Sequence, residues 1–214
     1  SLNKYKQIIL QEPEPMFTQK PPKRTTHTLR MFDGWGPKTD KETIALFNQL
    51  IEEACQDRIF DADEMRRLSE IGIAKKIAVQ QLKTALSDLA VHYYHDNVIS
   101  WDEFRDLEDI ANLFGFNSSV FYPLIKQVVP GLKVVCFTND LIMKGKPVDR
   151  YETLFPWAVS NGYLPCATVT KQTDLVVNCG AKNSVTGKLS KAVSYGIEVK
   201  HISDIMKGKK PLVT

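Results

Sequence analysis

Cysteine is scarce in this 214-residue chain, and its four residues, Cys55, Cys136, Cys166 and Cys179, show neither a CxxC pair nor zinc-ligand spacing. That argues against a metal ribbon or a disulfide scaffold and points to buried, reduced thiols, as in a reducing compartment. No run approaches 18 apolar residues, so a membrane-spanning helix is not expected. Residues 1–6 lead into no signal-peptide core or cleavage site, and a cytoplasmic location follows as the expectation. Walker loops, GxSxG elbows and dinucleotide fingerprints are missing as well. Nucleotide hydrolysis and acyl transfer therefore have no footing, and no cofactor is implied.

What is present is a strong internal contrast of charge. The formal net charge is only +3, yet residues 1–38 carry 7 basic and 3 acidic side chains, 39–118 carry 8 and 16, and 131–214 carry 12 and 6. The two ends suit an anionic partner such as a nucleic-acid backbone, whereas the middle repels one. Residues 1–38 also hold 5 of the 11 prolines, which marks a basic, proline-rich leader or linker of extended course. Within it, 29–35 is apolar enough, with Met31, Phe32 and Trp35, to anchor the leader on the helical part that follows.

The middle segment, 39–130, reads as helical and contains a repeat. Asp57-Arg58-Ile59-Phe60-Asp61-Ala62-Asp63-Glu64 recurs 39 residues later as Asp96-Asn97-Val98-Ile99-Ser100-Trp101-Asp102-Glu103. In each copy an Asp precedes an apolar pair, and Asp61 or Ser100 then stands three residues before Glu64 or Glu103, the spacing of a capping box. Thr39 with Glu42 has the same spacing one helix earlier. The pairs Ile59-Phe60 and Val98-Ile99 are expected to lie side by side as a small ladder. Apolar residues at helical spacing (Ile44, Phe47, Leu50, Ile51, Ala54; Ile77, Leu82, Leu86, Leu89, Tyr93; Leu107, Ile110, Phe114) complete a bundle of about five helices, the last near 120–129. The duplicated Asp-x-[Ile/Val]…Glu skeleton resembles the tellurite-resistance TerB-like helical domains, with Arg58 and Asn97 where that family has glycine.

From 131 to 214 the pattern changes to strands alternating with helices of about ten residues, which predicts βαβ units and a small parallel sheet. An apolar run, Val134-Val135-Cys136-Phe137, stops at Thr138-Asn139. A helix from 150 to 160 ends at Asn161-Gly162, a short apolar piece ends near Val169, and Leu175-Val176-Val177 is a second buried run. Thr186-Gly187-Lys188-Leu189-Ser190-Lys191-Ala192 opens another helix, before a strand at 197–199 and a helix around 202–206. These motifs, with Arg150 opening the first helix and Gln172-Thr173-Asp174 before the second run, resemble a BRCT domain of the single-copy kind found in bacterial DNA ligases, over about 75 residues. The resemblance implies a four-stranded parallel sheet. It also implies a phosphate held by Thr138, the amide of Asn139 and Lys188, with Arg150 or Lys191 assisting; a strand end beside a helix N-terminus leaves donors facing outward. Asn139 stands where that family usually has glycine.

Carboxylates cluster in the repeated turns, and Asp57 and Asp96 are the candidates for a divalent-metal site there. An EF-hand loop needs oxygen ligands at alternate positions and Gly at the sixth, and Ile59 occupies a ligand position, so capping is the better account of these acids. Phe60-Asp61-Ala62-Asp63-Glu64 mimics the Asp-x-Glu of a proofreading exonuclease but opens a helix and is duplicated. His92 and His95, three residues apart, read as a surface pair without a third ligand.

A proline-rich leader, a TerB-like bundle and a terminal BRCT domain together resemble the region that follows the catalytic domain in some bacterial DEDDh 3′ to 5′ exonucleases. The resemblance implies a noncatalytic recognition module of DNA replication or repair. Its partners would be DNA, with 5′-phosphorylated ends among the forms, or a phosphorylated or acidic protein. A metal-dependent phosphoesterase using the Asp57 and Asp96 turns and a homo-oligomerisation scaffold are the alternatives. The recognition reading needs the turn after the first strand and the start of the second α/β helix to converge, and fails if the Lys188 head is pinned inside another contact.

Overall fold

The computed structural model of the chain describes residues 27–212. Most of the proline-rich leader lies outside the described residues. Contacts divide the chain into two compact units: residues up to 95 together with 105–117, and residues 96–104 together with 118 onward. A helical region thus precedes an α/β region built on a four-stranded parallel sheet, the architecture expected from the sequence. No helix among the described residues is long and apolar enough to cross a membrane.

Five helices form in the first half: α1 (Lys41–Asp57), α2 (Ala62–Ile71), α3 (Lys75–Tyr93), α4 (Trp101–Leu113) and α5 (Ser118–Val128). Their starts follow from local chemistry. Asp61 accepts from the Glu64 amide at 2.8 Å while the Glu64 carboxylate accepts from the Asp61 amide at 2.9 Å, a closed capping box. Ser100 and Glu103 repeat it at 3.2 and 2.9 Å. The third expected box is displaced by one residue. Asp40, not Thr39, caps α1, accepting from the Thr43 amide at 3.0 Å and the Thr43 hydroxyl at 2.8 Å.

In the repeated turns, Arg58 and Asn97 both adopt left-handed backbone, φ 58° and 64°, a conformation that glycine takes most readily. Arg58 gains a buried partner from that conformation. Its guanidinium forks onto Asp106 at 2.8 and 2.9 Å, donates to the Cys55 carbonyl, and shares Asp106 with the Tyr93 hydroxyl. The ladder expected from Ile59-Phe60 and Val98-Ile99 does not form, since neither pair lies in a strand. Phe60 and Ile99 are buried nonetheless. The stretch around 29–35 does anchor: Leu29 and Phe32 are buried, the His27 amide donates to the Phe60 carbonyl, and Lys38 bridges to Ile73.

The second half contains β1 (Lys133–Thr138), a two-residue hairpin β2 (Ile142–Met143) and β3 (Lys146–Pro147), a π-helical turn (Arg150–Leu154) running into α6 (Phe155–Ser160), β4 (Tyr163–Cys166), β5 (Leu175–Asn178), α7 (Gly187–Tyr195), β6 (Glu198–His201) and α8 (Ile202–Met206). The parallel sheet has the order β4-β1-β5-β6. Its second strand in sequence is Tyr163–Cys166, earlier than the apolar piece ending near Val169 suggested, because 167–174 closes into turns instead.

Alternation along the strands sorts the core. Val135, Phe137, Leu175 and Val177 pack with Leu154, Trp157, Ala158, Ile202 and Ile205 on one face. Val134, Cys136 and Val176 point to the other, fully buried, and α7 lies against β5 and β6. The Thr173-Asp174 motif proves architectural: the Thr173 hydroxyl accepts from the Thr170 amide at 3.0 Å, and Asp174 accepts from the Val134 amide at 2.8 Å.

Candidate cationic notch at the sheet edge

The C-terminal ends of β1 and β5 and the start of α7 meet, as the recognition reading requires. Thr138 and Thr186, 48 residues apart, join their hydroxyls at 2.9 Å. Thr138 is 3 % exposed, so its hydroxyl is spent on this pair. Thr186 also caps α7, accepting from the Leu189 amide at 3.2 Å. Of the two hydroxyls, the one nearer solvent belongs to Thr186, which is half-buried and was not singled out from the sequence.

Asn139 has φ 61°, the left-handed turn that its replacement of glycine demanded. Its amide group then has a use no glycine could supply: Nδ2 donates to Asn178 Oδ1 and to Ser184 Oγ, both at 2.8 Å. The turn after β1 is thereby tied to the end of β5 and to the loop that follows it. The fit is tight enough that a Cβ on Gly180 would come within 2.9 Å of Asn139 Cβ, so residue 180 has to be glycine. Asn178 and Ser184, which complete the knot, carry no recognisable sequence signal, because their spacing to Asn139 is set by the strand crossover.

Two cations converge on the same turn. Lys188 Nζ donates to the Phe137 carbonyl at 3.0 Å, and Arg150 Nη2 donates to the Asn139 carbonyl at 2.8 Å. β4 ends at Cys166, opposite Cys136, so the Phe137 carbonyl lies beyond the last β4 residue and Lys188 satisfies it. The lysine head is thus held by another contact, against what the recognition reading required, although that contact leaves its charge in place. An ammonium has three donors and this carbonyl takes one, while a carbonyl carries no net charge. Among the described residues neither Lys188 nor Arg150 is in an ion pair with a carboxylate. The Asn139 amide likewise has no acceptor among the described residues.

Lys191 stands apart from this group. Its ammonium lies 5.6 Å from the Tyr195 ring centroid, one turn along α7. Lys188, Arg150, the Asn139 amide and the Thr186 hydroxyl are therefore the parts brought together. They group half-buried donors, two of them cationic, beside the N-terminus of a helix, with the exposed Asp140 next along the chain, and donors so grouped suit an anion with several oxygen acceptors.

The acidic candidates behave differently. Asp57 Oδ1 accepts from the Ile59 amide at 3.0 Å and Asp96 Oδ1 from the Val98 amide at 3.2 Å, the same turn-closing bond in both copies of the repeat. His92 and His95 stack at 5.8 Å, and His95 Nδ1 bonds the His92 carbonyl. Among the described residues no three His, Cys, Asp or Glu side chains are grouped closely enough to hold a metal ion. No family model matches the chain, and neither a curated protein nor a solved structure matches it.

Proposed function

We propose that this chain is a noncatalytic recognition module of DNA replication or repair, whose BRCT-like α/β region takes a terminal phosphate of DNA in the notch built by Lys188, Arg150, Asn139 and the Thr138–Thr186 hydroxyl pair. The observation that carries the reading is the pair of cations held at one turn by backbone carbonyls rather than by carboxylates. Carbonyls fix the geometry of the two side chains in advance and leave their charge for a ligand, which lowers the ordering cost of binding. The α7 N-terminus adds its partial positive charge. The basic excess of 131–214 supplies long-range attraction to a polyanion.

The leader, the helical region and this α/β region follow one another in the order found after the catalytic domain of some bacterial DEDDh exonucleases. We place the module in such a DNA-processing enzyme, acting in the cytoplasm. A phosphorylated or acidic protein segment would meet the same donors, so the test carries both ligands.

The test is fluorescence anisotropy with a 5′-phosphorylated duplex, the same duplex ending in a hydroxyl, and a phosphopeptide, each over a range of salt. The phosphorylated duplex is expected to bind tightest. Lys188→Gln keeps a donor for the Phe137 carbonyl but removes the charge. It should weaken phosphate-end binding about tenfold and reduce the salt slope by about one. Equal binding of the phosphate and hydroxyl ends would remove the notch from the account.

A further inference from the structure

Cys136 and Cys166 are register partners on the neighbouring parallel strands β1 and β4. Register partners project from the same side of a sheet, and adjacent strands run about 4.8 Å apart. That separation falls inside the range of about 4.4–6.8 Å between Cα atoms that a disulfide bridges. The Cys166 sulfur also lies 3.6 Å from the Thr173 hydroxyl. Both are free and buried, 0 % and 7 % exposed.

We propose that Cys136 and Cys166 form a peroxide-oxidisable dithiol that closes to a disulfide across β1 and β4. The chemistry of the pair is asymmetric. Interaction with Cys166, then the positive charges of Lys188 and Arg150, lower Cys136 to about 7 against the effect of its burial. Cys166 is pushed up by its interaction with Cys136 and by burial. One attacking thiolate therefore stands beside one resolving thiol. The other two cysteines lack this arrangement. Cys179 projects from the opposite face of the sheet, where burial drives it up to about 11, and Cys55 belongs to the other unit.

The reaction balances with hydrogen peroxide as the oxidant. The Cys136 thiolate attacks one peroxide oxygen, the O–O bond breaks, and the departing hydroxide takes up a proton as water, leaving a sulfenic acid at Cys136. Cys166 sulfur then attacks Cys136 sulfur. The S–S bond forms, the S–O bond breaks, and the second hydroxide leaves as water with the Cys166 proton. Two thiols and one peroxide give one disulfide and two waters. Burial selects the oxidant, since a molecule of nearly water size can enter during local opening where a bulky disulfide cannot.

The inference does not depend on the phosphate reading, and its test reads covalent chemistry alone. The full chain is treated with hydrogen peroxide, denatured, alkylated, and mapped by mass spectrometry without reduction. The expected result is loss of two hydrogens, a linked pair of peptides containing Cys136 and Cys166, alkylation confined to Cys55 and Cys179, and reversal by dithiothreitol. Oxidised glutathione at the same concentration should act at least tenfold more slowly. Lys188→Gln should slow the peroxide reaction several-fold at neutral pH by raising the thiol it faces. Four alkylated thiols after peroxide, a linkage that includes Cys55 or Cys179, or Cys136 carried to sulfinic acid without linkage would each overturn the proposal. The wild-type mapping needs no variant to fold.

Discussion

Two cationic clusters, one in each unit, use their charge in opposite ways. Arg58 is forked onto a carboxylate, Asp106, which is itself 2 % exposed and also bonded by Tyr93. Lys188 and Arg150 are held by the carbonyls of Phe137 and Asn139. The first cluster is closed: donors, acceptors and charge all cancel inside the protein. The second satisfies hydrogen bonds but leaves net charge, and only a cluster of that kind has anything to offer an anion. Counting basic residues would not separate them. Asking what each cation is bonded to does.

The largest effect should come from opening the closed cluster. Asp106→Ala leaves the Arg58 guanidinium buried without its counterion, and breaking a buried pair from one side costs about 4 kcal/mol. Urea unfolding should show a large fall in midpoint, and a loss below about 1 kcal/mol would mean that the pair is more solvated than its burial indicates.

Glu108 sharpens the contrast, as a half-buried acid beside a second carboxylate, Asp109. Burial, then the neighbouring Asp109 charge, raise it from the usual carboxylate range to about 7, with Arg105 pulling the other way. The folded state therefore keeps the proton longer than the unfolded chain. Stability from this group is fully present below pH 4.5 and is lost as pH climbs toward 7. Glu108→Gln should equal wild type near pH 4 and exceed it by about 2 kcal/mol at pH 8. A gap independent of pH would contradict that cause.

The repeated turns supply a smaller effect in each unit. Asp61→Ala and Ser100→Ala each open a capping box and should each cost about 1 kcal/mol, read from the unfolding midpoint. Smallest of all should be the loss of stability in Lys188→Gln, below about 0.5 kcal/mol, because glutamine keeps a donor for the Phe137 carbonyl and no carboxylate among the described residues is paired with the charge removed.

Much of this architecture was legible in the sequence, and the reason is local. Apolar runs bounded by turns located β1, β5 and β6, and Ser/Asp-x-x-Glu spacing located the starts of α2 and α4. The Thr39–Glu42 spacing misled because Asp40, an equally good cap, sits beside it with Thr43 in reach. The hairpin at Lys144-Gly145 went unread since Lys144 adopts φ 52°, a conformation unusual for lysine, and its strands are only two residues long.

The site was legible in its parts rather than in its wiring. Thr138, Asn139, Arg150 and Lys188 do meet, and Lys191 does not join them. What chain order could not disclose are contacts made across about fifty residues: the Thr138–Thr186 hydroxyl pair, the Asn139 knot with Asn178 and Ser184, and the Arg58–Asp106 pair. Each joins elements whose adjacency is decided by packing.

The contrast between a closed and an open cluster is tested most directly by affinity for 5′-phosphorylated duplex, measured against salt for wild type and Lys188→Gln. The prediction is about tenfold weaker binding, a salt slope smaller by about one, and unfolding midpoints that coincide. Superimposable binding curves from the two proteins would show that the Lys188 charge faces no phosphate.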